Sequence, residues 1–579
     1  MAGNVSPESP SPQQEGSSSG PDESHDHAPA GDKRTKFETV VLMTTLCLAV
    51  FLAALDVTIV TTALPTISDH FHSPEGYSWI GSSFLLAAAV VAPNWGKFSD
   101  IWGRKSILLI AIAVFFLGSA LCGAAVSLSM LLVGRTVQGA AAGGLFSLVN
   151  IVIGDLFSQR DRGKYYGIVG MVWALAFTLG PLIGGALTQG VSWRWCFYIN
   201  LPISGATFVA IAYLLKLHTP RTPFMSGVKA IDWVGSVALI GGSLMFLLGL
   251  EFGGTTHPWG SATVICLLVF GAATVVLFVV IERYVAHYPI VPAHLYANAS
   301  NLAVLVVNLF HGIIFTTNTY FLPLYCQSVL QASPLLSGVL LLPFAASMSV
   351  ATVGTGVYLE KTGRYLDCVR AGFALLVLGA GLEYDLPGSR YWPKVILYQL
   401  VPGLGVGLNF QPPLIALQSN VPAQDNGAAT ASFGLVRNIA SAVGVVVGSV
   451  VFTNRMNTQQ QRLADALGAQ TARLFSGSNA QANVLLVGKF DSATQAVIRR
   501  AFWESMRDIW IVAACLAAGG LLVCLFIKRN TLNRTHVEVK TGLAGEEERR
   551  KILLNQRAKK GGEDVEGNVG GNGIHLREN

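Results

Sequence analysis

From residue 40 onward the chain reads as a series of long apolar stretches divided by short polar breaks. The stretches fall at 40–64, 79–95, 106–126, 130–156, 165–189, 196–216, 232–252, 261–281, 302–322, 335–357, 368–386, 394–417, 428–452 and 510–527. A helix crosses a bilayer with about 20 apolar residues, and lipid leaves no water to satisfy an exposed backbone. The pattern therefore predicts about fourteen spanning helices, the least distinct being 79–95 and 368–386, in an all-α polytopic membrane protein. Outside them the pattern fails. Residues 1–38 are rich in Ser, Pro and Gly, 528–579 are polar and mixed in charge, and 453–509 form a long polar segment with a helix-like stretch from Gln459 to Leu474. Both tails are predicted to be disordered. The N-terminus shows no signal peptide, so targeting falls to the first span.

Composition agrees with the pattern. Of 579 residues 52% are hydrophobic and only 12% charged, where a soluble domain carries about 25% charged residues. Lipid must replace water over much of the exterior. The 61 glycines suit closely packed membrane helices. A net charge of +6 is dispersed among short loops and does not indicate nucleic acid. The eight cysteines lie in or beside apolar runs without a C-x-x-C pair, so they read as packing residues and not as metal ligands.

The loops set an orientation. One alternate set holds Lys97, Arg104, Lys105, Arg160, Arg162, Lys164, Lys216, Arg221, Lys229, Arg283, Lys361 and Arg364, whereas the other holds little beyond Arg194, Arg390 and Lys394. The positive-inside rule places the first set and both tails in the cytosol and 453–509 outside.

Candidate chemistry lies within the spans. Asp56 falls inside the first, in Leu55-Asp56-Val57-Thr58, and a membrane carboxylate costs at least about 2.5 kcal/mol, so such residues face a cavity or a partner. It is a candidate for proton binding and release; a structural Asp bonded to a neighbouring helix is the competing reading. Arg135, early in the fourth span with Gln138 one turn on, is its natural partner, unless it snorkels to the surface. Gly96-Lys97-Phe98-Ser99-Asp100-Ile101-Trp102-Gly103-Arg104-Lys105 makes a charged hinge between two spans, weakly echoed by Glu360-Lys361-Thr362-Gly363-Arg364. Pro181, flanked by Gly180, Gly184 and Gly185, marks a bending or sealing point in the fifth span. Trp173, Phe177, Asn308, His311, Asn318, Asn409 and Gln411 supply the mixed aromatic and amide lining suited to an amphipathic substrate, though each also serves as an ordinary packing or hydrogen-bonding residue.

In order along the chain, these segments resemble the signatures of the major facilitator superfamily. The Gly96–Lys105 loop is similar to its first signature, Arg135 to Gly143 to the R-x-x-Q-G signature, and Gly180 to Gly185 to the G-P-x-x-G-G antiporter signature, with Ala176 at the earlier glycine position. Leu55 to Pro65 and Trp193 to Pro202 resemble the fourteen-span drug:proton antiporters, and most nearly fungal toxin and drug efflux carriers. The resemblance implies two six-helix halves, 39–216 and 302–527, around two extra spans in 217–301. It implies proton-coupled export of small amphipathic molecules, with Asp56, Arg135 and Gln138 as coupling residues. Gly96, Lys97, Asp100, Gly103, Arg104, Lys105 and Arg364 would form a conformational latch, and Gly180, Pro181, Gly184 and Gly185 the antiporter motif. The expected partners are a small-molecule substrate, protons and the lipid bilayer, for a monomer in the plasma membrane or, alternatively, the vacuolar membrane. No enzyme activity, cofactor or metal is expected, and the lack of a strong P-loop argues against an ATP-driven pump. An uptake or vacuolar carrier for amino acids or siderophores, or a non-transporting sensor, is the alternative.

Overall fold

The computed structural model describes residues 35–532 apart from short breaks at 73–75, 216, 218–219, 221, 255–256, 287–288, 291–293 and 478, plus isolated positions 542, 547 and 551. The tail readings for 1–34 and for nearly all of 533–579 lie outside the described residues. Helices carry the architecture: α1 Lys36–Ile59, α2 Gly76–Trp102, α3 Arg104–Gly123, α4 Leu128–Leu156, α5 Arg162–Gly190, α6 Asn200–Leu214, α7 Trp233–Phe252 and α8 Ala262–Tyr284. They continue as α9 Ala299–Ser328, α10 Leu342–Thr362, α11 Tyr365–Tyr384, α12 Trp392–Asn409, α13 Pro412–Ser419, α14 Asn426–Thr458 and α15 Ser492–Val523.

Among the described residues, 13 helical segments are long and apolar enough to cross a membrane, α12 and α13 counting as one. The remaining long helix, α2, has 27 residues; its serines, Asn94 and Gly-Lys end make it less apolar, which is why 79–95 is one of the two least distinct stretches in the pattern. The last apolar stretch, expected to begin at 510, is the end of a longer helix that starts at Ser492, where Asp491 caps the N–H groups of Ala493 and Thr494. The polar run Arg499, Arg500 and Glu504 lies in its first turns. The helix-like stretch from Gln459 is two short helices broken at Gly468, whose φ of 81° favours glycine.

Two glycines place the hairpins. Gly103 (φ 90°) separates α2 from α3 and Gly363 (φ 70°) separates α10 from α11. The faint echo in the sequence is thus a glycine of positive φ between two helices at the same end of the bundle. Helices α1–α6 pack together, α9–α15 form a second group, and α7 and α8 pair with each other while α7 leans on α2 and α14.

The groups meet along α5 with α10, and along α2 and α4 with α14. The first contact is backbone on backbone: a Cβ added to Gly356 would lie 2.6 Å from the Gly163 carbonyl oxygen. Small residues of this kind let membrane helices approach closely. Polar contacts join the groups at the same end as Gly103 and Gly363. Arg160 donates from Nε to the Glu360 carbonyl at 2.8 Å and from Nη2 to the Lys361 carbonyl. Arg162 Nη1 donates to Gln418 Oε1 at 3.1 Å, and Gln418 Nε2 donates to the Tyr166 hydroxyl at 3.1 Å. That end of the bundle is closed between the groups.

Candidate functional site

Asp56 is fully buried in α1, and the sequence supplies it with three donor residues from two other helices. Arg135 Nη1 of α4 lies 2.5 Å from Asp56 Oδ2, Gln138 Nε2 lies 2.7 Å from Oδ1, and Asn200 Nδ2 of α6 lies 2.7 Å from the same oxygen. Gln138 also accepts from Arg135 Nη1 at 2.8 Å and donates to Ser119 Oγ of α3 at 2.9 Å. Arg135 Nε donates to the Ile80 carbonyl at 3.1 Å, and its guanidinium sits 4.3 Å from the Phe84 ring centroid. The arginine is therefore an interior partner and does not snorkel. Spacing explains the set: Arg135 and Gln138 are three residues apart and share a helix face. Taking a carboxylate and a guanidinium from water costs several kcal/mol per ion, and only this density of hydrogen bonds offsets it.

The antiporter glycines abut this site. A Cβ on Gly180 would fall 1.9 Å from Thr58 Oγ1, and one on Gly184 would fall 2.2 Å from the Ile59 carbonyl oxygen. Thr58 in turn donates to the Ala176 carbonyl at 3.0 Å. Only glycine lets α5 lie on the turn of α1 that follows Asp56. Gly185, with nothing within 4 Å of an added Cβ, plays no part in that contact. The side chain of Pro181 lies outside the described residues.

The hinge residues split. Arg104 forms an ion pair with Asp100 and donates from Nε to Asp155 Oδ2 of α4 at 2.7 Å. A Cβ on Gly427, in the first turn of α14, would lie 3.1 Å from Asp100 Oδ1. Asp100 thus faces the N-terminus of a helix of the other group, where partial positive charge favours a carboxylate. Gly96 packs across the same seam, 3.5 Å from the Ala431 side chain by an added Cβ, and Lys97 is buried beside it. Lys105 instead donates to the Ala212 carbonyl of α6 at 2.7 Å, within its own group. Arg364 is exposed and only caps its turn, its main-chain N–H donating to Thr362 Oγ1. Arg160 and Arg162, visible in the sequence only as loop charge, grip the second group in its place.

The suggested lining residues do not form one cluster. Trp173 and Phe177 stack with centroids 5.8 Å apart on α5, in the first group. Asn308, His311 and Asn318 lie buried on α9; His311 Nε2 is 3.1 Å from the Val406 carbonyl, and the Asn318 amide has no hydrogen-bond partner among the described residues. Gln411 sits at the break between α12 and α13, but Asn409 turns to the Gly405 carbonyl of its own helix and packs on Gly372 of α11.

Two functional candidates escape the sequence reading. Asn200 lies near the start of the 196–216 stretch, where a single amide attracts no notice. Arg437 lies in the middle of the 428–452 stretch and carries the same signal as Arg135, a cation inside a span.

A family model described as Major Facilitator Superfamily matches residues 46–445. The chain is 45% identical over 537 residues to the MFS-type transporter ppz2 of Metarhizium majus, covering 92% of this chain and 93% of that one. It is 46% identical over 506 residues to the efflux pump dotC of Dothistroma septosporum, covering 87% and 86% of the two chains. In fold it is similar to the human organic anion transporter MFSD10, with a TM-score of 0.51 at 17% identity, over 83% of this chain and 99% of that one. A multi-pass helical bundle, matched by this family model and by full-length fungal transporters, is a transporter of the major facilitator superfamily, and the chain belongs to that family.

Proposed function

We propose that the chain exports small amphipathic organic molecules by alternating access, driven by protons that bind and leave Asp56. The observation that carries this reading is the fully buried Asp56 held by Arg135, Gln138 and Asn200 next to the Gly180 and Gly184 contact. A proton on Asp56 cancels the charge that holds Arg135, so the donors on α4 and α6 lose their common acceptor. Because α5 lies on the same turn of α1, loosening there bears on the helix that closes the seam with α10. The similarity to an efflux pump supports the outward direction.

In this reading the protein lies in the plasma membrane, the end bearing Gly103 and Gly363 faces the cytosol, the tails lie on that side, and 453–509 lies outside. The closed cytosolic seam then corresponds to a state open toward the outside. Asp100 and Arg104, with Arg160 and Arg162, act as the latch of that state. A ligand or proton shifts the equilibrium only through its differential affinity for the two states.

The test is uphill transport in proteoliposomes with an imposed pH gradient. Asp56→Asn keeps the shape but cannot bind and release a proton, so it abolishes accumulation against a gradient while downhill exchange persists. Uphill export by that variant with unchanged pH dependence would remove Asp56 from the coupling role. Labelling a cysteine near Ser476 from outside intact cells, and none near Gly567, checks the orientation.

A further inference from the structure

Among the described residues, Arg437 is a cation in α14 without a counter-ion. Its Nε donates to Asn308 Oδ1 of α9 at 3.3 Å and its Nη2 to the Phe410 carbonyl at 2.8 Å. The guanidinium lies 4.7 Å from the Phe410 ring centroid and 4.9 Å from that of Phe433. Among the described residues no carboxylate pairs with it, and its Nη1 makes no hydrogen bond. Neutral acceptors and aromatic faces position a guanidinium, but they leave its full charge uncompensated in a membrane interior, where ionised groups pair or face a cavity.

Its position is specific. The Phe410 carbonyl lies at the break between α12 and α13, where Pro412 and Pro413 bring no N–H for the carbonyls of Leu408 and Asn409, and Arg437 donates to it. Broken membrane helices of this kind are tolerated only where the irregular backbone is buried in protein or lines a cavity. Arg437 is one turn from Gly434, whose added Cβ would lie 4.0 Å from Ser147 Oγ of α4. Its side chain turns from there toward Asn308 and Phe410 of its own group, just beyond the closed seam, and it is only partly buried. Phe315 and Phe410, centroids 6.3 Å apart, add apolar surface beside it, as does the ring of His311.

We infer that Arg437 recognises a carboxylate on an otherwise apolar, aromatic substrate, with Nη1 and the partly exposed edge of the guanidinium as the anion-binding atoms. This rests on the reading of the chain as an exporter and names its substrate class. The carboxylate supplies the missing counter-ion, and the aromatic body packs on Phe315 and Phe410. A neutral or cationic analogue leaves the arginine uncompensated and is discriminated against.

The probes are 1-pyrenebutyrate and its primary amide, which share one ring system and differ in charge. Binding to the full chain in nanodiscs is read by fluorescence, and outward transport in proteoliposomes is followed separately. The wild type is expected to bind the acid at least about tenfold more tightly than the amide, the scale of one charge-assisted contact. Arg437→Gln is expected to remove that preference while the amide binds as before, and Arg437→Lys to keep part of it. Amide binding by Arg437→Gln shows that the variant is folded; should it not fold, the wild-type comparison and Arg437→Lys decide. Equal affinity for the two probes in the wild type, no binding of the acid, or an undiminished preference in Arg437→Gln overturns the inference. Preferential binding of the acid without outward transport upholds the recognition site and counts against export. Outward transport without a preference does the reverse.

Discussion

Arg135 and Arg437 sit in different helix groups, each within a span and each with an amide on a neighbouring turn or helix, yet their company differs in one respect. Arg135 has Asp56 at 2.5 Å, and Gln138, Asn200 and Ser119 hydrogen-bond around that pair, leaving the Asn200 amide oxygen without a partner among the described residues. Arg437 has, among the described residues, only Asn308, a carbonyl and two rings. The first site is balanced in charge. The second is one negative charge short. In the proposed reading, coupling to an ion and recognition of cargo fall in separate groups, and a motion of one group on the other links them.

The sharpest way to break this comparison is Arg135→Ala. Removing one member of a buried pair strands Asp56, at a cost of about 3–5 kcal/mol. A large drop in melting temperature in detergent, with partial recovery on adding Asp56→Asn, is the expected result. Arg437→Gln strands only neutral acceptors and is expected to cost about 1 kcal/mol. Equal destabilisation by the two changes would erase the distinction between a closed site and an open one.

Asn200→Leu comes next. It removes one hydrogen bond to a charged oxygen and is expected to lower stability by about 1.5–3 kcal/mol and uphill transport with it. An effect confined to stability would make Asn200 a packing residue. Gly356→Leu follows. A side chain there meets the Gly163 backbone, so it wedges α5 from α10 and should open the closed seam without touching either arginine. Faster labelling of a cysteine at Gln418 is the readout, and no change in labelling would mean that the seam closes elsewhere. The smallest effect is expected at the opposite end of the bundle, where the exposed Asp385 accepts from Lys394 at 2.8 Å. That hydrogen bond holds the Asp385 carboxyl below the ordinary carboxylate range. Its contribution is present above the ordinary Asp pKa of about 4 and is lost as pH falls through the lowered value. Asp385→Asn is expected to leave the melting temperature and transport unchanged at neutral pH.

The sequence made the spans legible because lipid imposes a length and a polarity that few other environments require. Asp56 and Arg135 were legible for the same reason, since a charge inside a span is conspicuous. Arg437 sends that signal too, but Ser432, Asn438 and Ser441 surround it and blur the apolar background. Asn200 could not be read, because its role depends on α6 returning to α1, a tertiary fact that leaves no local mark. The hinge showed the turn at Gly103 but not its grip. That Arg160 and Arg162 hold the second group, while Arg364 faces outward, depends on how α5 meets α10 and α13.

The contact made by Arg160 has a consequence for how the chain tolerates change. Its acceptors are the main-chain carbonyls of Glu360 and Lys361, which every amino acid carries. Replacing either of those residues leaves the acceptors in place, apart from the long, exposed 3.8 Å pair of Glu360 with Lys164, whose type contributes little. Replacing Arg160 removes both bonds at once. One side of the joint can drift freely over generations while the other cannot, so related chains can differ at 360 and 361 and still close in the same way.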